Sequence, residues 1–305
     1  MIEHHYQETL RQLLRLHRNT PRSFIYFLAG SLPGSSLIHM RQLNLFSMIC
    51  RLDSRNILYQ HAKNFFSSVV HFRGSWFHQI REWCLMYQLP HPSELFDQPL
   101  EKYAFKNMVK KHVVKYWESI LRDEALQLKS LSLFRPQYMS LLTPHLLWRT
   151  AGYSPTRVAM ATVQALFLSG RYRCGSLTRH WASGLDEGFC QLSPECQGII
   201  EDIPHILLHC HALKKIRGGL FDYTLRYSST LPSKLMNILR TKCSPTNPSF
   251  IYFILDCSND PEAVSLAQEL GNNVFDHLFT VTRTWTYVIH RERLRMLGQW
   301  RPVRN

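Results

Sequence analysis

No run of about 20 apolar residues occurs in this sequence, so no transmembrane helix is expected. The opening residues, Met1-Ile2-Glu3-His4-His5, lack a basic segment followed by an apolar one, and no secretory signal is expected either. A GxxxxGK phosphate loop, a GxSxG nucleophile turn and an HExxH metal helix are all missing, which removes three common enzyme readings. Strand-like alternation is scarce, and there is no internal repeat or low-complexity tract. Acidic residues are few. The 22 Asp and Glu face 36 Lys and Arg, giving +14 with neutral His. That balance favours a polyanionic partner, nucleic acid before membrane, with simple solubility as the plain alternative.

What is present is a 305-residue chain with 45% hydrophobic residues, enough for two or three domains and a sizeable core. Its eight cysteines, without a signal peptide, read as reduced thiols of an intracellular protein, in nucleus or cytoplasm. The patterning is mostly helical. Leu10, Leu13 and Leu14 recur at helical steps. Thr20-Pro21 reads as a capped helix start, and Ser36 opens a run through Leu52. Ser75 reads as the cap of a helix ended by Pro90 and Pro92. The longest candidate, Leu100 to Leu126, sets Phe105, Val109, Val113 and Tyr116 on one stripe. It also carries Lys102, Lys106, Lys110, Lys111 and Lys115, which are either a solvated face or a phosphate-binding one. Ser154-Pro155 starts another helix that Gly170 is placed to stop. The last helix, Asn273 to Leu297, ends in Arg291, Arg293 and Arg295, with Arg301 and Arg304 beyond.

One constellation carries chemistry: Cys190-x5-Cys196-x8-His205-x4-Cys210. Three thiolates and one imidazole suit tetrahedral zinc, and four protein ligands leave no open position for catalysis. A Ser-Pro loop can bring the first two sulfurs together. His205 and Cys210 bracket the apolar run Ile206-Leu207-Leu208. Residues five apart stand about 140° apart on an ideal α-helix, so Cys210 is expected where that helix begins or frays. His209 and His211 compete with His205 as the fourth ligand, and buried or free thiols with a surface histidine cluster are the bland alternative. Glu201 reads as a cap of the His205 helix. A site with three cysteines carries about one net negative charge, which Lys214, Lys215 and Arg217 would offset while leaving a basic edge.

Upstream, Arg171-Tyr172-Arg173 and Arg179-His180-Trp181 interleave cations with flat rings. Phosphates need the former and single-stranded bases stack on the latter. Packing beneath the metal site is the alternative for Tyr172 and Trp181. Cys50 and Cys84 lie on apolar faces and read as core, and the pairs Asp123-Glu124 and Glu201-Asp202 read as helix ends.

Several segments, in order, resemble the region C-terminal to the polymerase domain in non-LTR (LINE-type) retrotransposon reverse transcriptases. They are Leu32-Pro33 with Ile38-His39-Met40-Arg41-Gln42-Leu43-Asn44-Leu45-Phe46; Tyr87-Gln88-Leu89-Pro90-His91-Pro92; Leu168-Ser169-Gly170-Arg171-Tyr172-Arg173; the cysteine–histidine cluster; and Leu278-Phe279 and Thr282-Arg283-Thr284-Trp285 with His290-Arg291-Glu292-Arg293-Leu294-Arg295. The resemblance implies a zinc-dependent module that binds element RNA and target DNA, with Cys190, Cys196, His205 and Cys210 as ligands. The aromatic-Ala-Asp-Asp polymerase motif is absent, as is any adjacent Asp-Asp, and an endonuclease domain is not expected. No polymerase activity is therefore expected of this chain alone, although it can complete a polymerase supplied separately. A helical protein-interaction scaffold is the rival reading.

The architecture expected is mainly α, a bundle-like set of helices with a small Cys-Cys-His-Cys zinc module. It divides into a helical region over 1–150, a basic helix with the zinc knuckle over 151–217, and a helical region with a basic tail over 218–305. Nucleic-acid contacts are expected from Arg171, Tyr172, Arg173, Arg179, Lys214, Lys215 and Arg217, and no membrane association is expected.

Overall fold

A computed structural model describes residues 2–67, 74–178, 188–244, 246–271 and 273–299. The described residues form helices and no strand, as the patterning predicts; one isolated antiparallel bridge joins Phe189 to Ile200. Seven helices come first: α1 (Ile2–Leu13), α2 (Arg22–Ala29), α3 (Gly34–Cys50), α4 (Ile57–Ser67), α5 (Trp76–Met86), α6 (Pro92–Asp97) and α7 (Lys102–Gln127). The short α8 (Leu146–Arg149), then α9 (Pro155–Leu168) and α10 (Gly175–Thr178), lead to the cysteine–histidine segment. After it come α11 (Lys214–Ser228), α12 (Ser233–Lys242), α13 (Phe250–Leu255), α14 (Pro261–Leu270) and α15 (Asn273–Met296).

Local chemistry explains most of the starts. The Ser75 hydroxyl accepts from the His78 amide and the Ser154 hydroxyl from the Arg157 amide, each satisfying a donor that a helix start leaves open. Glu101 does the same for Tyr103 and Ala104 at the head of α7. Thr20 departs from expectation. Pro21 takes the cap position of α2 without a side-chain bond, and the Thr20 hydroxyl is buried without a partner. Helix α3 likewise begins at Gly34, ahead of Ser36, whose hydroxyl donates back to the Pro33 carbonyl at 2.6 Å.

The apolar stripe of α7 packs on α2 and α3 through Phe105, Val109 and Val113, and leaves all five lysines exposed. The second organiser is α15, which packs on α9, α11, α13 and α14 and so ties segments on both sides of residue 217. Its Trp285 is fully buried. The indole N–H donates to Thr224 Oγ1 at 2.9 Å, and Phe221 and Phe250 meet the ring edge-on. Buried Gln164 of α9 donates to the carbonyls of Ile254 and Leu255, satisfying two acceptors at the end of α13. The buried apolar residues form one connected cluster from Leu16 to Ile289. Among the described residues no helix is long and apolar enough to cross a membrane.

Candidate metal centre

The first two cysteines sit in a short hairpin-like loop. The Cys190 amide donates to the Ile199 carbonyl at 2.8 Å, and the Glu201 amide to the Gly188 carbonyl at 2.9 Å. Between them Pro194–Cys196 makes a single 3₁₀ turn, closed by the Cys196 amide on the Ser193 carbonyl. The other two residues flank a π-helical turn, His205–His209. Asp202 Oδ1 accepts from the His205 amide at 2.7 Å and caps it, the role the sequence had given to Glu201. The Cys210 amide donates to the His205 carbonyl five residues back, at 2.6 Å. An i→i+5 turn is wider than an α-turn, so residues five apart come round towards one face. This resolves the 140° separation that an α-helix would impose.

The ligand atoms of Cys190, Cys196, His205 and Cys210 all lie within 4.8 Å of one another, and all four residues are buried. The cluster can therefore hold a metal ion. Cys190 Sγ and Cys210 Sγ stand 3.8 Å apart, and the His211 amide donates to Cys196 Sγ at 3.3 Å. His205 Nε2 is buried with no hydrogen-bond partner, a donor set aimed at something other than protein. His209 and His211 are exposed, and His211 pairs with Glu195 instead. Burial pushes the Cys190 thiol up to about 12 and lifts that of Cys210, so a nearby cation is needed to keep both ionised. Burial also holds His205 below its usual range, in the neutral form that ligates. All eight cysteines are buried and none is disulfide-bonded.

The cluster is tied to the rest of the protein by polar groups. Arg217 is buried, and its Nη2 donates to the Cys210 carbonyl at 2.7 Å. Glu201 is also buried, and accepts from Arg293 Nε at 3.0 Å, Arg293 Nη2 at 2.6 Å and the Gly175 amide at 2.9 Å. Helix α15 is thus clamped to the residues that open the metal turn. Tyr172 lies between, 3% exposed, its ring stacked on Phe167 at 3.7 Å and its hydroxyl bonded to His290 Nδ1. A Cβ at Gly175 would stand 2.4 Å from the Gly188 carbonyl oxygen. Gly175→Ala is expected to cost about 1–3 kcal/mol, since backbone must move to admit it. Urea unfolding at constant metal concentration checks this; an unchanged midpoint would count against the close approach.

Two of the residues expected to touch nucleic acid are therefore corrected. Tyr172 offers no free face because it is sandwiched in the core, and Arg217 turns inward to a carbonyl. Arg173, Lys214 and Lys215 are exposed, and Arg171 is half-buried. Arg179, with His180 and Trp181, lies outside the described residues, as do Arg301 and Arg304. At the end of α15, Arg293 is buried and Arg295 pairs with Glu292, which leaves Arg291 exposed.

Two basic surfaces bring together residues that the sequence offered only separately. Clefts of about 640 and 410 Å³ run between α3 and α7, with Arg41, Asn44, Lys102, Lys106 and Lys110 in their walls and no carboxylate among the lining residues. A cleft of about 480 Å³ lies beside the metal cluster, where Arg15 and His17 meet Arg171 and Arg173. The lysine spacing on α7 and the Arg171-Tyr172-Arg173 run were legible in advance; the contributions of Arg15, His17 and Arg41 were not. Comparison with family models, curated proteins and solved structures finds no match to this chain.

Proposed function

We propose that this protein is a non-catalytic, zinc-dependent module that binds RNA or DNA, comparable in role to the region behind the polymerase domain of LINE-type reverse transcriptases. The observation that carries the binding is the α3–α7 surface. Its lysines Lys102, Lys106 and Lys110 are exposed, none makes an ion pair among the described residues, and no acidic side chain is among the described residues that line the clefts. A solvated helix face ordinarily interleaves both signs of charge; a single-sign groove concentrates polyanions. Zinc is the metal that best fits the donor set. A Zn–S distance of about 2.3 Å gives a tetrahedral S···S edge of about 3.8 Å, which matches the Cys190–Cys210 separation. Four protein ligands fill the tetrahedron, so the metal's role is to hold the module together, with Arg217 offsetting the excess thiolate charge.

A salt titration of oligonucleotide binding tests the reading. The logarithm of affinity is expected to fall linearly with the logarithm of salt, and Lys106→Gln/Lys110→Gln to shallow the slope by about 1.4 for a single strand. Salt-independent binding, or none to RNA or DNA at low salt, overturns it. The scaffold reading has one observation in its favour: Tyr172, Arg217 and Arg293 all serve internal contacts. It predicts that charge reversal at Arg173, Lys214 and Lys215 leaves nucleic-acid affinity unchanged.

A further inference from the structure

The cleft beside the metal cluster has a construction that packing alone does not require. Its walls come from four distant parts of the chain: the turn after α1, the segment after α9, the cysteine hairpin and the end of α15. Four arginines line it; Arg293 is paired with Glu201, while Arg15, Arg171 and Arg173 make no ion pair among the described residues. The one carboxylate in the wall, Glu201, has both oxygens engaged by Arg293. Among the described residues the cleft is thus left with three positive charges that no carboxylate offsets. Arg171 adds a second anomaly, since its Nε is buried with no hydrogen-bond partner. Burial, followed by the positive fields of Arg171 and Arg18, holds His17 below its ordinary range.

Arg15 supplies an independent observation. It closes α1 in the left-handed region, φ +52°, with the Leu16 amide on the Arg11 carbonyl and the Arg15 amide on that of Gln12. The equivalent position at the end of α9 is Gly170, φ +63°, the residue such a cap favours. An arginine there costs about 1 kcal/mol that glycine would avoid. Strain at a residue that also lines a cleft is a reason to ask what its side chain does. Phe189, 36% exposed, adds a flat apolar ring to the lining of the same cleft. Guanidinium forks match phosphate oxygens, and an aromatic face stacks a base. A recess of this size suits a single nucleotide, while a duplex major groove alone is about 12 Å wide.

We infer that this cleft seats one nucleotide of a single strand, with its phosphate on Arg15, Arg171 and Arg173 and its base against Phe189. The inference rests on the nucleic-acid reading above and gives it a defined second contact, apart from the α7 lysines. Fluorescence anisotropy of the full chain with a labelled ten-residue oligothymidylate tests it, with thymidine monophosphate as competitor. Arg171→Gln/Arg173→Gln is expected to weaken oligonucleotide binding at least tenfold at low salt, and Phe189→Ala by roughly 5- to 150-fold. Arg15→Gly is the decisive variant. It removes the guanidinium and relieves the left-handed strain, so a higher Tm together with weaker binding is expected. Unchanged binding in all of these variants, while Lys106→Gln/Lys110→Gln loses it, overturns the cleft and leaves the α7 reading standing. Failure of the native chain to bind the oligonucleotide or the monophosphate overturns both. Binding of the monophosphate alone, lost in the same variants, upholds the cleft as a nucleotide site and overturns the nucleic-acid reading.

Discussion

Cys210→Ser is expected to abolish binding of one zinc per chain and to strip hydrogen-exchange protection from residues 188–213. The reason is the balance of forces in that segment. It has no regular helix or sheet ladder, only a hairpin-like loop, two 3₁₀ turns and one π turn. Three of its buried groups are thiols and one is an imidazole whose Nε2 has no protein partner. Without a cation these groups must stay neutral and unpaired in a low-dielectric site. The zinc proposed for this site would take them as its ligands, and such sites contribute roughly 10–16 kcal/mol in small finger peptides. That is as large as the whole stability of a typical domain. Buried Ile206, Leu207 and Leu213 join the module to the common core, so the effect is expected to spread to α11 and the end of α15 but leave α2, α3 and α7 protected. A chelator added to the native chain makes the same measurement without mutation. If exchange across 188–213 is the same with and without chelator, the metal assignment fails.

The second large effect is expected at the Glu201–Arg293 clamp. Both side chains are buried, the bond is bidentate, and Glu201 also accepts the Gly175 amide. Removing one partner leaves a buried charge without compensation, which costs about 3–5 kcal/mol. Arg293→Met and Glu201→Leu are each expected to lose that much in urea unfolding at fixed zinc. The double variant is expected to recover part of the loss, because replacing both charges by apolar groups removes the desolvation penalty as well. Arg293 also lies over the Tyr172 ring, its guanidinium carbon 5.5 Å from the centroid, so part of its effect is packing. Single variants that lose less than about 1 kcal/mol would mean that water reaches the pair and the clamp is not a determinant of the module's docking.

The local half of this protein was legible in advance. The starts of α5 and α9 and most of the extent of α7 and α15 follow from apolar spacing, a capping hydroxyl or a proline. Those signals act over three or four residues and need no knowledge of the fold. The metal cluster was also legible as four residue types at a workable spacing. His205 was the histidine read into it and is the one the cluster contains, with His209 and His211 left as competitors that spacing alone did not exclude. The π turn and its Asp202 cap make the choice. An Asp three residues before His205 was a readable signal for that cap.

The residues misread were those whose type has two uses. Tyr172 and Arg217 have the chemistry of a nucleic-acid contact and also that of a buried anchor. Their partners, the Phe167 ring with His290 and the Cys210 carbonyl, decide between the two. The same holds for the lysines of α7, whose significance depends on the absence of acids from the opposing face of α3, and for Arg15, which meets Arg171 only after the chain has folded. The sequence by itself determined a helical, basic protein with one four-residue metal cluster, because periodicity, capping and ligand spacing are short-range properties. Only the tertiary structure decided which cations remain free to meet a partner, because burial and ion pairing are set by segments distant in the chain.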